Sequence, residues 1–556
     1  MRNVQIEKQF LLSQPDLYPD VEMNPSKLLS TVPQTHALEF ISYLLHLYNV
    51  RKRDDGDFQS RHLIQWMMQM DNADKARISN FIQLNQQLVF DPSFKVINRR
   101  PSLNLIQHIL IHCPPGSELL NSVHYSALFK CILYFNLLEN QVQEQLLNWD
   151  GIGDTEQFAN IIIVAQVRNI EHERFKDYVI QFLKVYYFFV FLESHSKYAG
   201  YLKMFLAHRG LTSYTGYLWN LMNPFLRLLT NDTPTPKMHI DDAGKALHFY
   251  QQLAINGKIT STDKDYKPLR QYPLFESDAQ TYTFMDYRFF VDKFFQGFLF
   301  DFTTTVKISY GSLKADMGNE FSEHILFYAV MKRCFGGYGI IRLTGDEIKS
   351  MIGEGEPDYY IRKGTAIFLF EFKDAVLSAE IKYCGDAAKI KAGITEKLEK
   401  NSLGKRKGIT QLLYTIKSIY SGLYRDKNVD YVNVKNIAIY PIIVHTDITL
   451  ESYGVNYFLN KRMAELADDT AIKNVSIKNL VMINLDTLIK LQDHFADGKL
   501  ELEGSITAYI SYISSDDPKT ATFPFDEFVK YYFTEQNKED LGNPRDFNRI
   551  ITSFAS

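Results

Sequence analysis

Cysteine is scarce in this chain. Four occur in 556 residues, Cys113, Cys131, Cys334 and Cys384, and no two form a Cys-x-x-Cys pair. No Cys/His set has zinc spacing, so a structural zinc module and a disulfide framework are both excluded. Free, buried thiols in a reducing cytoplasm are the expectation. Long apolar runs are missing too. The greasiest stretch, "YVIQFLKVYYFFVFL" at 178 to 192, is interrupted by Gln181 and Lys184. A membrane helix needs about 20 apolar residues, so this stretch predicts a buried helix and no membrane association. The start, "MRNVQIEKQF", lacks the apolar centre of a signal peptide. Nor does one sign of charge dominate: 61 Lys and Arg face 65 Asp and Glu, for a net charge of -4. Any nucleic-acid surface must therefore be a local patch.

What the chain has in quantity is aromatic residues, 40 Phe and 34 Tyr, which predict large, well-filled cores. Its length predicts about three to four domains. Residues 1–230 read as helices: "THALEFISYLLHLYNV" and "ALFKCILYFNLLENQVQEQLLNW" carry apolar residues at helical spacing. Gly151 and Gly153 follow no strand, which argues against phosphate binding. His108 and His112 are four apart without a metalloprotease Glu, so they read as packing residues. "TNDTPTPK", 230 to 237, predicts a linker. Residues 238–310 read as a mixed connecting region. Residues 311–515 alternate helix and strand, the pattern of an α/β domain with a mixed central sheet. Residues 516–556 read as a helical tail.

One stretch stands apart. "GEPDYYIRKGTAIFLFEFK", 355 to 373, holds two strand-like runs around Gly364 and ends on Glu-Phe-Lys. Buried charge is costly unless paired or bound to a metal. A hairpin turning at Gly364 and Thr365 sets Asp358 opposite Glu371. Alternation then puts Glu371 and Lys373 on one face, with Phe370 and Phe372 on the other. Two carboxylates, with the Phe372 carbonyl as a third oxygen, suit magnesium or manganese. Lys373, at the strand exit and so near water, could hold or deprotonate a water and stabilise a transition state.

Pro357-Asp358 followed by Glu371-x-Lys373 resembles the PD-(D/E)XK nuclease superfamily, over about 318 to 490. The resemblance implies a restriction-endonuclease-like fold and Mg2+- or Mn2+-dependent phosphodiester hydrolysis. It implies metal ligands Asp358 and Glu371, with Lys373 catalytic. It also implies a Glu on the preceding helix as a further metal ligand. "GNEFSEHIL" offers Glu320 and Glu323, and Glu323 is favoured because Leu326, Phe327 and Val330 put it on the packed side. A Gln on the following helix, Gln411, would orient Lys373 or the phosphate.

Residues 373 to 428 carry twelve basic against six acidic residues. Lys405, Arg406 and Lys407 lie in a glycine-flanked loop suited to a phosphate backbone. Tyr414, Tyr420 and Tyr424 read as core. The expectation is a cytoplasmic nuclease acting on nucleic acid, DNA favoured. Its helical half would recognise a substrate or a partner protein, or hold the nuclease inactive. Antiphage defence is suggested by analogy of architecture alone. The alternatives are a non-enzymatic scaffold and an RNA-cleaving toxin.

Overall fold

The computed structural model describes residues 10–50, 58–146, 154–174, 176–230, 236–241, 244–339, 341–401, 403–431, 437–469 and 476–555. Gly151 and Gly153 lie outside them, as do residues 231–235 of the expected linker. The N-terminal half is helical and the C-terminal half carries a mixed sheet of six strands. Among the described residues no helix is long and apolar enough to cross a membrane. The four cysteines are free thiols, three of them buried.

The chain forms two compact units, Met1–Gln145 with Phe175–Tyr310, and Leu146–Arg174 with Gly311–Ser556. This differs from the expected boundaries in three places. The connecting region 238–310 belongs to the first unit. The C-terminal tail belongs to the second. So does the helix Thr155–Glu173 (α1), which lies inside the stretch expected to be one helical domain. The reason is packing: Ile163, Val164 and Val167 of α1 share one apolar core with the strands of the six-stranded sheet. An amphipathic pattern announces a helix but not which core receives it.

In the first unit, helices surround a core that includes Trp66, Phe94 and Phe129. The stretch 178–192 is a buried helix there, Tyr178–Ser194. Its two interrupting polar residues are buried as well, and Lys184 sits over the Phe295 ring at 4.9 Å. A small antiparallel sheet joins Lys237–His239 to Thr281–Phe284 and Leu274–Asp278. His108 and His112 pack with tilted rings, centroids 5.3 Å apart, on the helix Arg99–His112, and His112 Nε2 also meets Ser26 Oγ at 3.1 Å.

The second unit is built on strands β1 (Ile341–Thr344), β2 (Tyr359–Lys363), β3 (Ala366–Lys373), β4 (Ala438–His445), β5 (Ser476–Ile477) and β6 (Val481–Asn484). β1, β2 and β3 run antiparallel in sequence order. β4 lies parallel to β3, and β5 and β6 both pair in parallel with the far edge of β4. β3 is flanked by strands and covered on both faces, so its apolar run is almost continuous. Ile367 and Leu369 face a layer that includes helices Ala387–Leu398 (α2) and Gly408–Tyr420 (α3). Phe370 and Phe372 face the opposite layer, where Phe335 and Phe327 meet them at 6.1 and 4.8 Å.

Candidate active site

The hairpin closes where the sequence says it should. Lys363 pairs with Ala366 across Gly364 and Thr365, and Gly364 takes a φ of +59°, the left-handed region that suits glycine. Tyr359 pairs with Phe370, so the next pair outward is Asp358 and Glu371. The Phe372 N–H donates to Asp358 Oδ2 at 2.6 Å, and the Gly345 N–H donates to the Asp358 carbonyl at 2.9 Å. Asp358 is thus tied to β3 through its side chain and to the end of β1 through its backbone.

Lys373 completes the group. Its ammonium lies 2.5 Å from Glu371 Oε1, 3.0 Å from the Phe372 carbonyl oxygen and 3.8 Å from Asp358 Oδ2. Those distances limit the separation of the two carboxylate oxygens to 6.3 Å (2.5 plus 3.8). Lys373, expected near water, is half-buried. Its side chain is 17% exposed and that of Glu371 not at all. The end of β3 thus pairs a fully buried carboxylate with a partly exposed ammonium.

The electrostatics follow from that burial. Burial pushes the Glu371 carboxyl up to about 8, the Asp358 charge adds to it, and Lys373 opposes both. Burial also raises Asp358, against the pull of Lys373 and the Phe372 N–H. Burial alone would lower the Lys373 ammonium, but Glu371, Asp358 and Glu323 outweigh it and hold it above its usual value. Glu371 Oε2 is buried without a hydrogen-bond partner.

Glu323 approaches from the facing layer. Residues Met317–Phe327 form a helix with wide, i→i+5 turns, and Tyr328–Phe335 continues it as an ordinary α-helix. Wide turns of this kind are rare and recur at functional sites. Burial raises the Glu323 carboxyl, as does the Asp358 charge, while the Tyr328 hydroxyl donates to it at 3.0 Å. Glu320 is exposed, so Glu323 is the acidic residue of this helix that joins the cluster. Among the described residues, however, no three His, Cys, Asp or Glu side chains are arranged as ligands to one ion. The oxygens gathered around the ammonium are two carboxylates and one backbone carbonyl.

Gln411 stands in the first turn of α3. Its Oε1 accepts the Gly408 N–H at 3.0 Å, capping α3, and no hydrogen bond joins it to Lys373 among the described residues. A side-chain amide near a helix start is drawn to the unpaired N–H groups there. Lys405 and Arg406 are exposed and Lys407 is half-buried. The Arg406 guanidinium lies over the Tyr414 ring at 4.1 Å. Tyr424 is a core residue, as expected, while Tyr414 and Tyr420 are half-buried.

The residue that sequence reasoning missed is Asp374. It accepts hydrogen bonds from Lys314 Nζ (2.7 Å), Ser322 Oγ (2.8 Å) and Thr446 Oγ1 (2.7 Å). Its only sequence signal is a carboxylate directly after the strand-end lysine. Compared with models of protein families, with curated proteins and with solved structures, the chain has no match.

Proposed function

We propose that the second unit is a metal-dependent nuclease of PD-(D/E)XK type that hydrolyses phosphodiester bonds, with DNA the favoured substrate. The observation that carries this reading is the Lys373 ammonium, held among Glu371 Oε1, Asp358 Oδ2 and the Phe372 carbonyl. An ammonium is a stand-in cation, and this oxygen set fits a hard divalent ion. The orphaned Glu371 Oε2 leaves a further lone pair free for it. Asp358, Glu371 and Glu323 outnumber the one lysine, and the Asp358 charge raises both glutamates, a repulsion that a bound cation would relieve.

Asp358 and Glu371 would hold Mg2+ or Mn2+. Such an ion, when bound, lowers the pKa of a water and offsets charge on a phosphate. Lys373 would then turn from the carboxylates to the attacking water or the phosphate, holding the proton or the charge there. Hydrolysis adds the water oxygen to phosphorus and breaks one P–O ester bond, and the leaving oxygen takes a proton. The basic loop, Lys405 to Lys407, would meet the phosphate backbone. The helical first unit would bind a partner or regulate the second, an arrangement that by analogy of architecture suits prokaryotic antiphage defence.

The test is cleavage of plasmid DNA and of RNA by the full chain, with Mg2+, Mn2+ or chelator. Metal-dependent cutting that is lost in Asp358→Asn and Glu371→Gln supports the reading. Absence of cutting under every condition, together with absence of Mn2+ binding, favours a non-enzymatic scaffold. Cutting of RNA alone favours a toxin.

A further inference from the structure

We infer that Asp374 is a positioning residue, which pins the wide-turn helix Met317–Phe327 to the end of β3 and thereby sets Glu323 against the Asp358–Glu371 pair. This rests on the metal-nuclease reading above. Asp374 follows Lys373 directly. Side chains alternate along an extended chain, so when Lys373 turns to Glu371, Asp374 turns to the opposite layer. There it gathers donors from three separate places in the chain: Lys314 before the wide-turn helix, Ser322 within it, and Thr446 just past β4. Ser322 is the immediate neighbour of Glu323.

The wide turns explain how one helix makes both contacts. In a 3.6-residue turn, side chains five apart point about 140° away from each other. With i→i+5 hydrogen bonding they stack near one face. Ser322 bonds to Asp374 while Phe327, five residues on, stacks on Phe372 at 4.8 Å. The helix therefore grips residues 372 and 374 on both sides of Lys373. Tyr328, at the end of the wide segment, holds Glu323 from the other direction. Burial alone would raise the Asp374 carboxyl, but Lys314 and the two hydroxyls outweigh it and hold it below its usual range, so it stays an acceptor of all three bonds.

The test is Mn2+ binding by calorimetry on the full chain without nucleic acid, alongside plasmid cleavage. Partners that orient metal ligands are typically worth about 10- to 100-fold in affinity. Asp374→Asn should weaken Mn2+ binding by about that range. Ser322→Ala, which removes one hydroxyl, should weaken it in the same direction, and Ser322→Thr, which restores the hydroxyl, should recover it. Adding Glu323→Gln to Asp374→Asn should cost little more, because both act through one carboxylate. If Asp374→Asn and Ser322→Ala bind Mn2+ within about twofold of wild type, the positioning role is overturned and the nuclease reading stands. A wild-type chain that neither binds Mn2+ nor cuts overturns both. If Asp374→Asn fails to fold, the comparison of Ser322→Ala with Ser322→Thr decides by itself: equal Mn2+ affinity in the two overturns the positioning role.

Discussion

Lys373 and Glu371 share one face at the end of β3, the ammonium 2.5 Å from Glu371 Oε1, with the carboxylate fully buried. A lysine in that position competes with any other cation for the same oxygens. Lys373→Ala should therefore bind Mn2+ more tightly than wild type, by about tenfold, the scale of one charge-assisted hydrogen bond. The same variant should lose cleavage, because the group that meets the water or the phosphate is gone. Calorimetry and a plasmid assay on one preparation check both halves. Cleavage at wild-type rate would show that Lys373 is not catalytic.

The pH dependence follows from Glu371. Its carboxyl is raised to about 8 in the fold, well above its ordinary value. A raised carboxyl favours the fold most when protonated, and that contribution is lost as pH climbs from the ordinary carboxylate range through about 8. Metal needs the carboxylate, so binding releases a proton below that pH. Log affinity for Mn2+ should rise by about one per pH unit from about pH 6 and level off above the Glu371 pKa. Glu371→Gln should flatten the profile.

The basic loop should give salt-sensitive affinity. Replacing Lys405, Arg406 and Lys407 together by Ala should weaken duplex DNA binding. It should also flatten the slope of log affinity against log salt, by up to about 0.9 per lost phosphate contact. An unchanged slope, measured by fluorescence anisotropy over a salt series, would assign the loop to solvated surface.

Gly408 opens α3 with a φ of +42°, and a Cβ there would lie 2.3 Å from the Leu398 carbonyl oxygen, at the end of α2. Gly408→Ala should cost about 1–3 kcal/mol and lower Tm by about 3–10 °C. Differential scanning calorimetry reads it directly.

The hairpin register was legible in the sequence because turn chemistry and alternation act over a few residues. Gly364 fixes the turn, and counting outward places Asp358 opposite Glu371. The free cysteines, three of the four buried, and the buried helix 178–194 follow from composition in the same local way. Asp374 was not legible. Its donors come from residues 314, 322 and 446, and only the folded sheet brings them together. The wide turns of 317–327 were hidden because they preserve an apolar face that reads as an ordinary helix. Gln411 fits the pattern by type and spacing, and its bond to the Gly408 N–H is a local contact that the pattern does not show.

The membership of α1 in the second unit has a consequence for synthesis. The 272 residues between Glu173 and His445 (445 minus 173) must be made before β4 exists. At about 5–20 residues per second that is roughly 14–54 s. Until β4 joins β1, β2 and β3, Ile163, Val164 and Val167 lack the complete sheet that shares their core. The first unit, meanwhile, must be completed from two pieces of chain, Met1–Gln145 and Phe175–Tyr310, that a segment of the second unit separates in sequence. A ribosome-bound chain halted before residue 438 should thus be cut by protease within 155–173, and one released at full length should resist.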